Sequence, residues 1–162
     1  MQITGSLYYL RFMKSFFDPA TKDLVLARLE KLTPASQPIW GKMNSAQMMA
    51  HATAVLESAT DQALPRKQLF IGKLFMLFMK NDFANDKPWR KNSPTAPGFL
   101  MADEKDFAKE KQRLIEIINR FHQGGTSKVT KHPSVFWGQR SPEEWGIGMY
   151  KHTDHHFQQF GI

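Results

Sequence analysis

The chain has 162 residues, 41% hydrophobic and 23% charged, which suits one folded domain with a sizeable core and excludes wholesale disorder. It contains no cysteine, so disulfides, thiolate-held zinc and a protein-borne thiol nucleophile are all excluded. The net charge of +7 permits anionic partners, but the basic residues are scattered rather than clustered, so nucleic acid is not an expected partner.

The opening stretch, residues 1–18, lacks the basic front and small-residue cleavage site of a signal peptide. Met13 is a plausible natural start, which makes residues 1–12 an extension to a single domain over 13–162. No apolar run approaches the roughly 20 residues of a membrane span, so the expected location is the cytoplasm.

Helical periodicity dominates the remainder. A first helix is predicted to open at Asp18 and Pro19, an N-cap followed by proline at the first helical position. Leu24, Val25, Arg28, Leu29 and Leu32 form its inner stripe, and Thr33-Pro34 ends it. Asn44 caps a second helix, SAQMMAHATAVLESA, lined by Met48, Ala52, Val55 and Ala59. KQLFIGKLFMLFMK reads as a short extra helix whose lysines suit either a lid over the domain or an amphipathic surface anchor; the lid is the preferred reading. The proline-rich loop NDKPWRKNSPTAPGF follows, a connection long enough for a crossover between parallel helices.

A third helix is predicted from about Asp103 to Phe121, with Phe107, Leu114, Ile118 and Phe121 on one face and Gly124-Gly125 as its stop. Ser141, Pro142 and Glu144 form a capping box for a fourth, which runs to about Phe160 and is closed by Gly161. The glycines of GIG (146–148) fall inside it and suit close packing rather than nucleotide binding. The fold class is therefore all-α: a four-helix bundle of up-down-down-up path, with a crossover after the second helix.

Half of the six histidines lie in the last helix, at 152, 155 and 156. With His152 at 0° on a helical wheel, Trp145, Met149 and Phe160 fall between about 20° and 80°. His156 joins them at about 40°, whereas His155 lies at the sector's edge near 300°. His152 and His156 thus project inward as an i, i+4 pair, close enough to grip one ion. His155 is left at the surface or behind the ligands. Buried imidazoles must be hydrogen-bonded or ligating, so the pair calls for a partner. His122 has a ready explanation at a helix C-terminus. His132 sits in a loop, while His51 lies mid-helix with no capping role. In a bundle whose second and fourth helices are antiparallel, His51 meets His156 at the same level.

The stretches WGKMNSAQMMAH (40–51), KNSPTAP (91–97) and HPSVFWGQRSPEEWGIGMYKHTDHHFQQFG (132–161) resemble the DinB/YfiT-like superfamily, in particular a bacterial branch known as a domain of unknown function. The resemblance spans Met13 to Ile162. It implies a four-helix bundle that holds a divalent metal (zinc, nickel or iron) through one histidine of the second helix and an HxxxH in the last. His51, His152 and His156 occupy those positions. The family's frequent HH-R-G-Q ending is HH-F-Q-Q here, which keeps Gln159 but lacks the arginine and any substrate contact it makes. Relatives include S-transferases and isomerases that use low-molecular-weight bacterial thiols, which implies a small-molecule substrate; hydrolysis, or a metal-stabilised bundle that only binds, are the alternatives. Gln47, Gln159 and His155 are candidates to orient the ligands, and Trp40 and Trp145 to wall the pocket. A membrane partner is not expected, and a homodimer is compatible with the pattern.

Overall fold

The computed structural model describes residues 13–63, 82–134 and 137–162. The proposed extension 1–12 and the apolar segment 67–80 lie outside the described residues. The described elements are helical: α1 Pro19–Leu29, α2 Ser45–Glu57, α3 Phe107–Gly124 and α4 Pro142–Gln159, with 3-10 turns at Pro97–Phe99 and Gly125–Lys128. No strand occurs among the described residues, only two isolated bridges, Thr60 to Val129 and Ser134 to Gly138. Nor is any described helix long and apolar enough to cross a membrane.

The helix starts follow local side-chain chemistry. Asp18 accepts from the N–H groups of Ala20 and Thr21, and Asn44 and Ser141 each close a reciprocal capping box with Gln47 and Glu144. Each such cap satisfies backbone donors that a helix cannot satisfy itself, worth about 1 kcal/mol.

Two boundaries and one facing differ from expectation. α3 begins four residues later than Asp103, because Asp106 is the residue that caps it, accepting from Lys109 N–H. The Asp103 carbonyl instead accepts from Gln47 Nε2, and its carboxylate pairs with Lys105. α1 ends at Leu29, before Thr33-Pro34, and turns through 3-10-type bonds from Lys31 and Leu32. Leu24 is exposed, while Thr21, Val25, Leu29 and Leu32 point inward. Eleven helical residues bury a single narrow stripe, and Leu24 falls outside it.

The four helices share one core that includes Val25, Leu29, Met48, Leu56, Leu114, Ile118, Met149 and Phe157. α2 packs most extensively against α3. Beyond their C-terminal ends, Asp61 N–H donates to the Lys128 carbonyl and Thr130 N–H to that of Ala59. Near their N-terminal ends Gln47 reaches Asp103. α1 is tied to α4 where Phe16 N–H donates to the Gly146 carbonyl and where Arg28 pairs with Asp154 at 2.5 Å. Ile39 N–H donates to the Gln159 carbonyl, bringing the approach to α2 against the end of α4.

The glycines of α4 act in packing. A methyl group at Gly148 would overlap the Phe83 ring, and one at Gly146 would overlap Ser15 and Phe17. The helix is thereby approached closely along its first half, where Trp145 also meets Phe83 edge-on at 5.3 Å.

Candidate metal centre

α2 and α4 bring three buried imidazoles together: His51 (3% exposed), His152 (6%) and His156 (8%). Each offers one nitrogen such that all three lie within 4.8 Å of one another. His51 Nε2 and His152 Nε2 are 3.0 Å apart. Nitrogens bound to a tetrahedral zinc at about 2.0–2.1 Å would stand about 3.3 Å from each other, so the cluster has the span of a metal site.

The outer hydrogen bonds fix which nitrogen faces inward. The Phe99 carbonyl can only accept, so His51 must donate from Nδ1, at 2.8 Å, which leaves the lone pair on Nε2. A longer relay fixes His156. The Trp40 carbonyl accepts a hydrogen bond from Gln159 Nε2 at 2.5 Å, which turns Gln159 Oε1 toward His156 Nδ1 at 2.8 Å. His156 therefore donates from Nδ1 and keeps its Nε2 lone pair. His152 Nδ1 is buried with no hydrogen-bond partner among the described residues.

At least two inward lone pairs thus converge in a buried space. One proton shared between His51 and His152 would satisfy only that contact. Protonating the set is opposed as well: burial is the largest cause lowering the pKa of all three, with the neighbouring imidazoles adding to it for His152 and His156. His156 is brought down to about 3. Neutral imidazoles with aligned lone pairs are what a divalent cation requires, so the donor set fits a metal.

The other residues singled out from sequence separate into two groups. His155 is half-buried beside the cluster, with ring centroids 5.3 Å from His156 and 5.9 Å from Trp40. Trp40 and Gln159 belong to the relay just described. Gln47 and Trp145 do not join the histidines. Gln47 spends its oxygen on Asn44 N–H and its nitrogen on Asp103, and Trp145 is a core side chain against Phe83. His122 does not join the cluster: its Nδ1 donates to the Phe16 carbonyl at 2.7 Å.

Two contributors carried no usable signal in the sequence. Phe99 acts through its backbone carbonyl, to which side-chain patterns are blind. Trp89, in the KPWRK stretch, packs on His152 at 5.6 Å and on His155 at 6.3 Å. An aromatic within a proline-bearing loop was its only mark.

A family model described as "Protein of unknown function (DUF1569)" matches residues 17–161. The chain belongs to the DUF1569 family. The matched span contains all four helices and all three histidines, so the centre lies within the DUF1569 domain itself. No curated protein and no solved structure matches the chain.

Proposed function

We propose that His51, His152 and His156 hold one divalent metal ion, and that the protein is a metal-dependent enzyme of the DinB/YfiT kind acting on a small molecule. The observation that carries this reading is the convergence of three buried imidazoles, two of them locked by Phe99 and by the Gln159–Trp40 relay into the ligating tautomer. Three neutral ligands leave coordination positions open, the pattern of a catalytic rather than a closed structural site. Such an ion acidifies a bound water or thiol and polarises a carbonyl. The resemblance to the DinB/YfiT-like superfamily puts forward a thiol-dependent transferase or isomerase as the reaction class; in a chain without cysteine the reacting thiol would arrive with the substrate.

The up-down-down-up path belongs to the same reading. It is supported by the contacts of α2 with α3 near both their ends, by those of α1 with α4 near both theirs, and by the approach of the α4 end to the segment before α2.

The test is metal analysis of protein purified without a histidine tag, followed by turnover assays with glutathione, bacillithiol and mycothiol conjugates. About one equivalent of metal, lost on replacing His51, His152 or His156, is the expected result. Less than about half an equivalent in the wild type, unchanged by those replacements, rejects the centre. Full metal with no turnover of any thiol conjugate would leave a metal-stabilised binding module, and turnover of esters or amides alone a hydrolase.

A further inference from the structure

Behind the histidine cluster lies a cleft of about 350 Å³, the size of a small-molecule site, between the 85–89 loop and the outer side of α4. Its wall includes Trp89 and His155, the two rings that also pack on His152 and His156. One aromatic layer therefore separates the cleft from the proposed metal.

The charges around the cleft are unbalanced. Lys14, Lys87 and Lys151 line it, against Asp86 and Asp154. Asp154 is already neutralised by Arg28 at 2.5 Å. Asp86 forms no close ion pair among the described residues, but it and the neighbouring Asp82 both act on Lys151 through space, so three ammonium groups stand against two carboxylates.

Lys151 is the most constrained of the three. Its ammonium donates to the Asp82 carbonyl and to Asn85 Oδ1, both at 2.7 Å and both neutral oxygens. An ammonium has three donors, so one remains for a further acceptor. The same Asp82 carbonyl also accepts from Trp89 Nε1 at 2.9 Å. The loop that carries Trp89 is thus pinned to the lysine, and the charge is held in place before any ligand arrives. Lys14 lies over the Tyr150 ring at 5.9 Å, at the same wall.

We propose that this cleft is an anion-selective binding chamber, in which Lys151, flanked by Lys14 and Lys87, holds the carboxylate or phosphate of a small organic molecule whose apolar part rests on Trp89. The proposal deepens the metal-enzyme reading, on which it rests for the reaction though not for the binding: the chamber would hold the charged end of the substrate one ring away from the three histidines.

The test is calorimetric titration of the full chain with benzoate, phenyl phosphate and benzyl alcohol, first metal-free and then zinc-loaded. One or both anions are expected to bind at least about tenfold more tightly than the neutral alcohol. The ranking of benzoate and phenyl phosphate then assigns the carboxylate or the phosphate. Lys151→Gln should reduce the anion-to-alcohol ratio to about threefold or less, beyond any loss common to all three probes from loosening the loop, whereas a lysine that merely supports the loop would weaken all three alike and leave the ratio intact. Should Lys151→Gln fail to fold, the double variant Lys14→Gln/Lys87→Gln decides by the same ratio. No preference in the wild type, or a preference that survives the substitutions, overturns the chamber. An anion preference in wild-type protein that takes up no zinc, nickel or iron leaves the chamber standing and overturns the metal centre.

Discussion

The two halves of α4 both bury an inner face and are chemically opposite. In the first half Gly146 and Gly148 present bare backbone, and Phe17 and Phe83 fill the space a side chain would take. In the second half His152, His156 and Gln159 occupy the inner face, each at or below 8% exposure. The first half is held mainly by dispersion and apolar burial, which need shape, beside the Phe16 N–H bond to the Gly146 carbonyl. The second, with His51 of α2 facing it, needs every polar atom answered, and most are: His51 by Phe99, His156 by Gln159, Gln159 by Trp40. His152 Nδ1 is the exception. A helix can thus devote one end to rigid packing and the other to a polar cluster, because the packed end fixes the position and direction of the polar one.

The comparison breaks most visibly at His152. Replacing it with Ala should lower metal affinity by more than about a hundredfold, read as metal content after dialysis against a competing chelator. His152→Leu sharpens the point: it should abolish metal binding yet change metal-free stability in urea by no more than about 1 kcal/mol, since the unanswered Nδ1 is exchanged for apolar atoms while His51 Nε2 loses its contact. A fall of several kcal/mol would show that the imidazole is structural.

In the other half, Gly148→Ala should cost about 1–3 kcal/mol in urea unfolding, as Phe83 is pushed from the helix, with metal content per folded molecule retained. Loss of metal without loss of stability would contradict the division. Gln159→Leu tests the relay. It should weaken metal binding about 10–100-fold, because His156 loses the acceptor that fixes its tautomer, and change folding far less.

Of the two halves of α4, acid should act on the second, together with the facing His51 of α2. His51, His152 and His156 have lowered pKa values in the folded chain, His156 to about 3, against an ordinary value near 6.5 when unfolded. Above about pH 6.5 both states are neutral and the contribution is fully present. As the pH falls below it, the unfolded chain takes up protons that the folded chain refuses, so stability declines toward the folded pKa values. The slope should be about 1.4 kcal/mol per pH unit for each such histidine in metal-free protein. A His51→Leu/His152→Leu/His156→Leu variant should show a flatter profile between pH 6.5 and 4.5, measured by urea midpoints. The smallest effect belongs to the helix start: Ser141→Ala should cost about 1 kcal/mol without altering that profile.

Legibility of the site followed the range of the interaction. The inward direction of His152 and His156 was readable because a helix fixes side-chain azimuth by sequence spacing alone. His155 was readable only as a residue at the sector's edge; its half-buried place between Trp40 and His156 depends on a segment more than a hundred residues away in sequence. Gln47, expected to orient the ligands, closes a capping box instead, because its partner Asn44 is three residues off and the box forms with the helix itself. Trp145 is absorbed by Phe83, which no local pattern pairs with it. The start of α3 was misplaced because Asp103 and Asp106 are both competent caps, and a long-range bond from Gln47 occupies the first.

By itself, then, the sequence determined that the chain is helical, where α2 and α4 begin, and which two histidines of the last helix share a face, since caps and azimuths are settled within one turn. The tertiary structure decided what those histidines meet. Phe99 supplies a carbonyl from a 3-10 turn, Trp40 reaches His156 through Gln159, and Trp89 divides the cluster from the cleft beside Lys151. Each of these joins segments tens of residues apart, and only the packing of the helices against a common core sets their distances.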